Sequence, residues 1–205
     1  MLVITPLLQA QEWNIAEKSV TGVFNSSKSK SELFASINKW ISINYNSAQN
    51  VIQMNDAESG TIIIKGINEV TYANKPGKVM APNTKHVQDN VTAKFNHTIE
   101  INVKENKFRI IYMLTEMISP DPSATAYSNQ FFAAINLNGE NSAEIQSYID
   151  TMETFLKQGM IGKDKRERWK VAMRETFKEV GENIVVSLKS KMLSIEKSTI
   201  AEDKW

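Results

Sequence analysis

Residues Val91 to Val103, VTAKFNHTIEINV, alternate apolar and polar side chains almost without a break. Val91, Ala93, Phe95, Ile99, Ile101 and Val103 share one parity; Thr92, Lys94, Asn96, Thr98, Glu100 and Asn102 share the other. A two-residue period of this length specifies a long β-strand with one buried face and one wet or partly covered face. Glu105 and Asn106 can turn the chain, although the usual Asn-Gly or Asp-Gly is absent, and Lys107 to Met117 then returns. A two-residue turn sets Val103 against Phe108, Ile101 against Ile110, Ile99 against Tyr112 and His97 against Leu114, so the two apolar parities meet. A slip of one residue would set Ile101 against Arg109 instead. The other face pairs Asn102 with Arg109 and Glu100 with Ile111, and makes Glu100 and Arg109 diagonal neighbours, a typical solvated cross-strand pair.

Upstream of this hairpin, Lys18 to Phe24 reads as a first strand. Ser29 lies three residues before Glu32, the spacing of a capping box, and Leu33, Ile37, Trp40 and Ile41 recur at helical intervals. Lys30 to Asn44 is therefore an amphipathic helix packed on a sheet. Val51 to Met54 and the β-branched run Thr61 to Ile67 form a second hairpin around the turn Asn55 to Gly60. Ala73 to Asn90 holds two prolines and a glycine with few apolar positions, and reads as a long mobile loop, an insertion rather than a site.

Downstream, Pro120 and Pro122 stop the sheet. Residues 119–141 read as an irregular linker with an apolar patch from Phe131 to Leu137. A helical region over 142–195 follows. Ile145, Ile149, Met152 and Leu156 mark a helix from Ser142 to Gln158 ended by Gly159; Trp169, Met173, Phe177, Val180, Ile184 and Leu188 mark a longer one from Lys163 to Leu193. Gly181 stands in its middle as a weak point. Residues 196–205 read as a frayed tail.

The chain has 205 residues with 41% hydrophobic content, enough for one core, and a net charge of +1, which argues against a dedicated polyanion binder. Cysteine is absent, which removes disulfides, thiolate metal sites and cysteine nucleophiles together. Residues 1–11 carry the greasy run Leu2, Val3, Ile4, Leu7 and Leu8 followed by Gln9, Ala10 and Gln11, the look of the back half of a secretory signal, though without its basic start. No stretch has the apolar length needed to span a bilayer as a helix.

The ordered set Lys39-Trp40-Ile41, Val51-Ile52-Gln53-Met54, Glu58-Ser59-Gly60-Thr61-Ile62-Ile63, Lys65-Gly66, Ile99-Glu100-Ile101-Asn102-Val103-Lys104 and Lys107-Phe108-Arg109 resembles an uncharacterised, Bacteroidota-type bacterial domain of unknown function with a TBP-like fold. The resemblance covers about Lys18 to Met117, with the domain drawn over 18–118. Members often have Asp-Gly where this chain has Glu105-Asn106. The resemblance implies an α+β fold, a curved antiparallel sheet with helices on one face, and it implies export to the periplasm or beyond. It carries no catalytic residues. With the residue patterns, it sets the expected architecture: a twisted antiparallel sheet of about five strands, a helix after the first strand, and a C-terminal helical pair able to cover Ile111 and Met113.

Chemistry is sparse. There is no GxGxxG, no GxxxxGK[ST] and no GxSxG. No residue is assigned as catalytic, cofactor-binding or metal-ligating. His97 interrupts the apolar parity, and Glu116 lies diagonally across the ladder from it, so an acid–base pair is the alternative to a histidine held at the sheet margin. His86 lies in the long loop with no carboxylate cluster, and two lone histidines do not make a metal site. The basic run Lys163 to Arg168 is interleaved with Asp164 and Glu167, which suits i,i+4 pairing on a solvated helix face. Minor-groove binding needs wedge aromatics on a basic sheet face, and the solvated parity offers none. The leading expectation is an exported, non-enzymatic module of the bacterial envelope. It would bind a protein, peptide or lipid-like partner through the second face of the sheet or the loop 73–90. An enzyme built on His97 and Glu116 is the alternative, and a nucleic-acid-binding sheet ranks last.

Overall fold

The computed structural model describes residues 12–82, 84–139 and 142–200. The signal-like segment 1–11 and residues 201–205 lie outside them. Six strands form one antiparallel sheet: β1 (Glu12–Ile15), β2 (Ser19–Asn25), β3 (Ile52–Asp56), β4 (Thr61–Ala73), β5 (Asn90–Lys104) and β6 (Lys107–Ile118), in the order β1-β2-β6-β5-β4-β3. The strand that the sequence reading did not assign is β1, a four-residue edge whose Trp13 packs edge-on against Phe24 at 5.8 Å. The central hairpin has the register read from its alternation: Val103 opposite Phe108, Ile101 opposite Ile110, Ile99 opposite Tyr112, His97 opposite Leu114. Its turn works without glycine because Asn106 takes a left-handed φ of 60°.

One sheet face carries the core. Val20, Phe24, Ile62, Ile64, Phe95, Ile99, Ile101, Phe108, Ile110 and Tyr112 are all sealed from solvent. Helix α1 (Lys30–Asn44) covers part of this face through Leu33, Ile37, Trp40 and Ile41. Its capping box is complete: Ser29 accepts from the Glu32 amide, and the Glu32 carboxylate accepts from the Ser29 amide at 2.8 Å. The Glu105 carboxylate of the hairpin turn accepts from the Lys30 amide at 3.0 Å, which ties the helix start to the sheet. A single turn, α2 (Ala48–Val51), leads into β3.

The loop 73–90 is not structureless. Strands β4 and β5 run on to Ala73 and Asn90, and α3 (Lys75–Met80) sits between them, with the Asn74 side chain accepting from the Gly77 amide at 3.1 Å. Lys75 bridges to Glu175 and Glu179 at 3.4 and 3.1 Å, and Glu179 accepts from the Ala73 amide at 2.8 Å, so the segment is docked rather than loose. The linker reading of 119–141 is also overturned. After a 3-10 turn at Pro122–Ala124, α4 (Thr125–Ala134) buries Phe131 and Ala134. Pro122 stops the sheet and, with Asp121 accepting from the Ser123 amide at 2.8 Å, also starts the helix.

Helix α5 (Ala143–Gln158) packs on α4 and on α6 (Lys163–Ile200), a rod of 38 residues that crosses the core face beside α1. Its buried stripe passes Leu188 through Met192, Ile195 and Thr199, and Lys28 donates to the Thr199 carbonyl at 2.7 Å. Residues 196–200 are therefore helical rather than frayed, and the rest of the expected tail, 201–205, lies outside the described residues. Gly181 is a crossing point rather than a weak one: a Cβ there would lie 3.0 Å from the Asn136 carbonyl oxygen of the strap that follows α4.

Candidate functional site

All the helices of the described residues gather on the core side, so the opposite sheet face is open. Its central row runs Asn14, Thr21, Ile111, Glu100, Ile63 and Met54 across the six strands. Met54, Ile67 and Met113 are 40%, 52% and 45% exposed. The expected cover of Ile111 and Met113 by the C-terminal helices is absent, because the stripe of α6 faces the other side, against α1, β4 and β2. Polar groups on the open face are largely joined to one another. Arg109 donates to the Asn102 side-chain oxygen at 2.6 Å, Asn102 donates to Glu100 at 3.0 Å, and Lys94 bridges to Glu69 at 2.8 Å.

The ladder is broken once, between Asn96 and His97, where Thr115 is the extra residue of β6. A bulge of this kind switches the parity of the strand beyond it and increases its twist. Glu116 thereby moves to the open face, opposite Asn96, whose amide donates to its carboxylate. Beside the bulge lies a concavity of about 550 Å³ over the Gly66–His97 backbone, with Lys65, Ile67, Asn96, Thr98, Thr115 and Glu116 around it.

His97 stays on the core side, 1% exposed. Its Nδ1 lies 3.0 Å from the Tyr112 hydroxyl, with the two rings 4.5 Å apart. Gly66 stands directly opposite on β4, and a Cβ at that position would come within 2.9 Å of the imidazole. Burial, reinforced by Lys191, pushes the His97 pKa down to about 3. Burial pushes the Tyr112 hydroxyl well above its ordinary value, so phenol and imidazole are both neutral and the His97 tautomer sets which of them donates. The His97 Nε2 and the Tyr45 hydroxyl then remain buried without hydrogen-bond partners.

The structure thus separates the pair suggested by spacing. In an unbroken ladder Glu116 would share the face of His97; the bulge puts the two on opposite faces. Tyr112, the partner that His97 does find, shares its parity across the hairpin and was legible in the register. His86 is exposed in the loop before β5 and joins no site with His97. The described residues hold no group of three or more His, Cys, Asp or Glu side chains placed to hold a metal ion. The basic run at the start of α6 serves helix docking: Arg166 and Lys170 converge on Glu153 of α5 at 3.4 and 3.5 Å, and Lys170 also meets Glu167 at 2.7 Å.

A twisted antiparallel sheet with its helices on one face and the other bare is the TBP-like class of α+β architecture. Residues 21–117, a little under half of the chain, match the family described as a domain of unknown function (DUF4468) with TBP-like fold. Among solved structures it is similar to a TBP-like protein from Parabacteroides distasonis ATCC 8503, at 15% identity and a TM-score of 0.44, covering 90% of this chain and 94% of that one. It is also similar to a DUF4468 family protein from Bacteroides ovatus ATCC 8483, at 12% identity and a TM-score of 0.44, covering 92% of this chain and 90% of that one. None of the curated proteins matches the chain. No helix of the described residues is long and apolar enough to cross a membrane.

Proposed function

We propose that the protein is an exported, non-enzymatic binding module of the bacterial cell envelope that takes a polypeptide partner on the open face of its sheet. The observation that carries this reading is the asymmetry of the sheet: every helix of the described residues lies on one side, and the other presents exposed Met54, Ile67 and Met113 around a concavity. An extended, shallow surface of mixed apolar and hydrogen-bonding groups suits a polypeptide better than a compact solute. Lys65 on one rim and Glu116 on the other favour a partner carrying both signs of charge over a polyanion. Export rests on the run Leu2 to Ala10. The non-enzymatic reading rests on the separation of His97 from Glu116 and on a histidine that burial keeps neutral.

A photo-crosslinking amino acid at Ile67 or Met113, compared with one at Val171 or Val186 on the outer side of α6, tests the surface in the producing cell. Discrete protein adducts from the sheet positions alone are expected. Equal labelling from all four positions, or none from the sheet, contradicts the reading. Fractionation of the same cells checks export, and retention in the cytoplasm would remove the envelope assignment.

A further inference from the structure

Where β4, β5 and β6 run out, α3, α4, α5 and α6 border a second, open cleft of about 300 Å³. Small-ligand pockets begin at about this size. Its walls are aromatic. Tyr72 stacks on Phe131 with centroids 6.4 Å apart, Tyr148 meets Phe131 edge-on at 5.8 Å, and Tyr127 stands at the mouth, 46% exposed. Met117 and Met173 add soft apolar surface that adapts to irregular shapes.

Two further features point to a ligand. The first is an idle hydroxyl. Helical Ser and Thr side chains commonly bond back to the carbonyl four residues earlier. Ser42, Thr151, Thr154 and Thr176 do so here, at 3.0, 2.9, 3.0 and 2.8 Å. Ser128 does not. It is 7% exposed, lines the cleft, and makes no hydrogen bond within the described residues. Its oxygen is not among the buried unpartnered atoms and meets solvent in the cleft, so a ligand group entering there would take the place of water as its partner. The hydroxyls of Tyr72 and Tyr148, also in the lining, likewise have no hydrogen-bond partner among the described residues. Burial holds both protonated, pushing the Tyr72 hydroxyl up to about 12 and the Tyr148 hydroxyl upward as well.

The second feature is charge. Among the described residues no Asp, Glu, Lys, Arg or His lines the cleft, and Lys75, beside its rim residues Asn74 and Pro76, is tied to Glu175 and Glu179. We propose that this cleft binds a small uncharged molecule with an apolar, ring-sized body and one hydrogen-bonding end, the body against the aromatic wall of Tyr72, Phe131 and Tyr148 and the end against Ser128. This site is separate from the open sheet face and stands or falls without it.

Amide and methyl NMR on the full chain, titrated with benzyl alcohol, benzoate and toluene, tests the site. Benzyl alcohol should give saturable shifts at Val91, Met117, Ser128 and Thr176. Benzoate should bind at least about tenfold more weakly, since its charge would be buried unpaired. Ser128→Ala should reduce the preference for benzyl alcohol over toluene by about threefold to tenfold, the range of one lost hydrogen bond. Ala124→Trp should fill the cleft and abolish the shifts while the rest of the spectrum stays folded. The proposal is overturned by shifts that never saturate, by benzoate binding as well as the alcohol, or by shifts centred on Ile67 and Met113. It is equally overturned if only a protein partner, and none of these probes, perturbs the cleft.

Discussion

The two faces of the central sheet are built from the same strands and differ in everything else. On the core face Ile99, Ile101, Ile110 and Tyr112 are wholly buried beneath α1 and α6. One residue along each strand, on the other face, Thr98, Glu100, Arg109 and Met113 look into solvent or lie partly shielded by their neighbours. Two-residue alternation converts a linear sequence into two surfaces, one that carries the core and one that is left open to solvent and that we propose for contact. Substitutions should therefore have sharply different effects at adjacent positions.

The largest difference is expected between Ile101→Ala and a change on the open face. Ile101 is fully buried, and its truncation should cost about 2–5 kcal/mol in urea unfolding. Gly66→Ala comes next. The added methyl would meet the His97 ring at 2.9 Å, and the overpacking should cost about 1–3 kcal/mol. A loss below about 0.5 kcal/mol would show that the ring is free to move aside.

His97 gives the sheet a pH signature. Its folded pKa of about 3 lies below the unfolded value of 6.5, so between those values the unfolded chain binds the extra proton. Stability is whole above pH 6.5 and falls as the pH drops through that window, by at most about 1.4 kcal/mol per pH unit. His97→Phe should flatten the slope in the part of the window above the carboxylate range. An unchanged slope would mean that the imidazole charges freely in the folded protein. Ser29→Ala, which removes half of the capping box, should cost about 0.5–2 kcal/mol by the same unfolding assay. Smallest of all, Met113→Ser and Ile67→Ser should stay within about 0.5 kcal/mol while weakening capture of the partner.

Much of this was legible in the sequence because it rests on local periodicity. The hairpin register followed from Val103, Ile101 and Ile99 agreeing with Phe108, Ile110 and Tyr112. The capping box followed from Ser29 and Glu32. What escaped was decided by distant contacts. The helical state of 75–80 depends on Lys75 reaching Glu175 and Glu179, a hundred residues on. The helix at 125–134 is weakly amphipathic and is held by Phe131 against Tyr72 and Phe177. Its C-terminal carbonyls accept from Lys18 of the strand start, at 3.1 Å for Ala133. Bulges leave almost no mark in sequence, so the extra residue Thr115, which parts Glu116 from His97, could not be read from spacing.

The chain has no cysteine, so single thiols can be placed at will. Met113→Cys, Ile67→Cys and Thr98→Cys on one face, and Ile110→Cys on the other, would be treated with a maleimide in the isolated folded protein. Rapid labelling of Met113→Cys and Ile67→Cys, with Ile110→Cys protected until the chain unfolds, is the predicted result. Protection of the first two in the isolated chain would contradict it, for it would mean that the sheet is covered on both sides and has no face left for a partner.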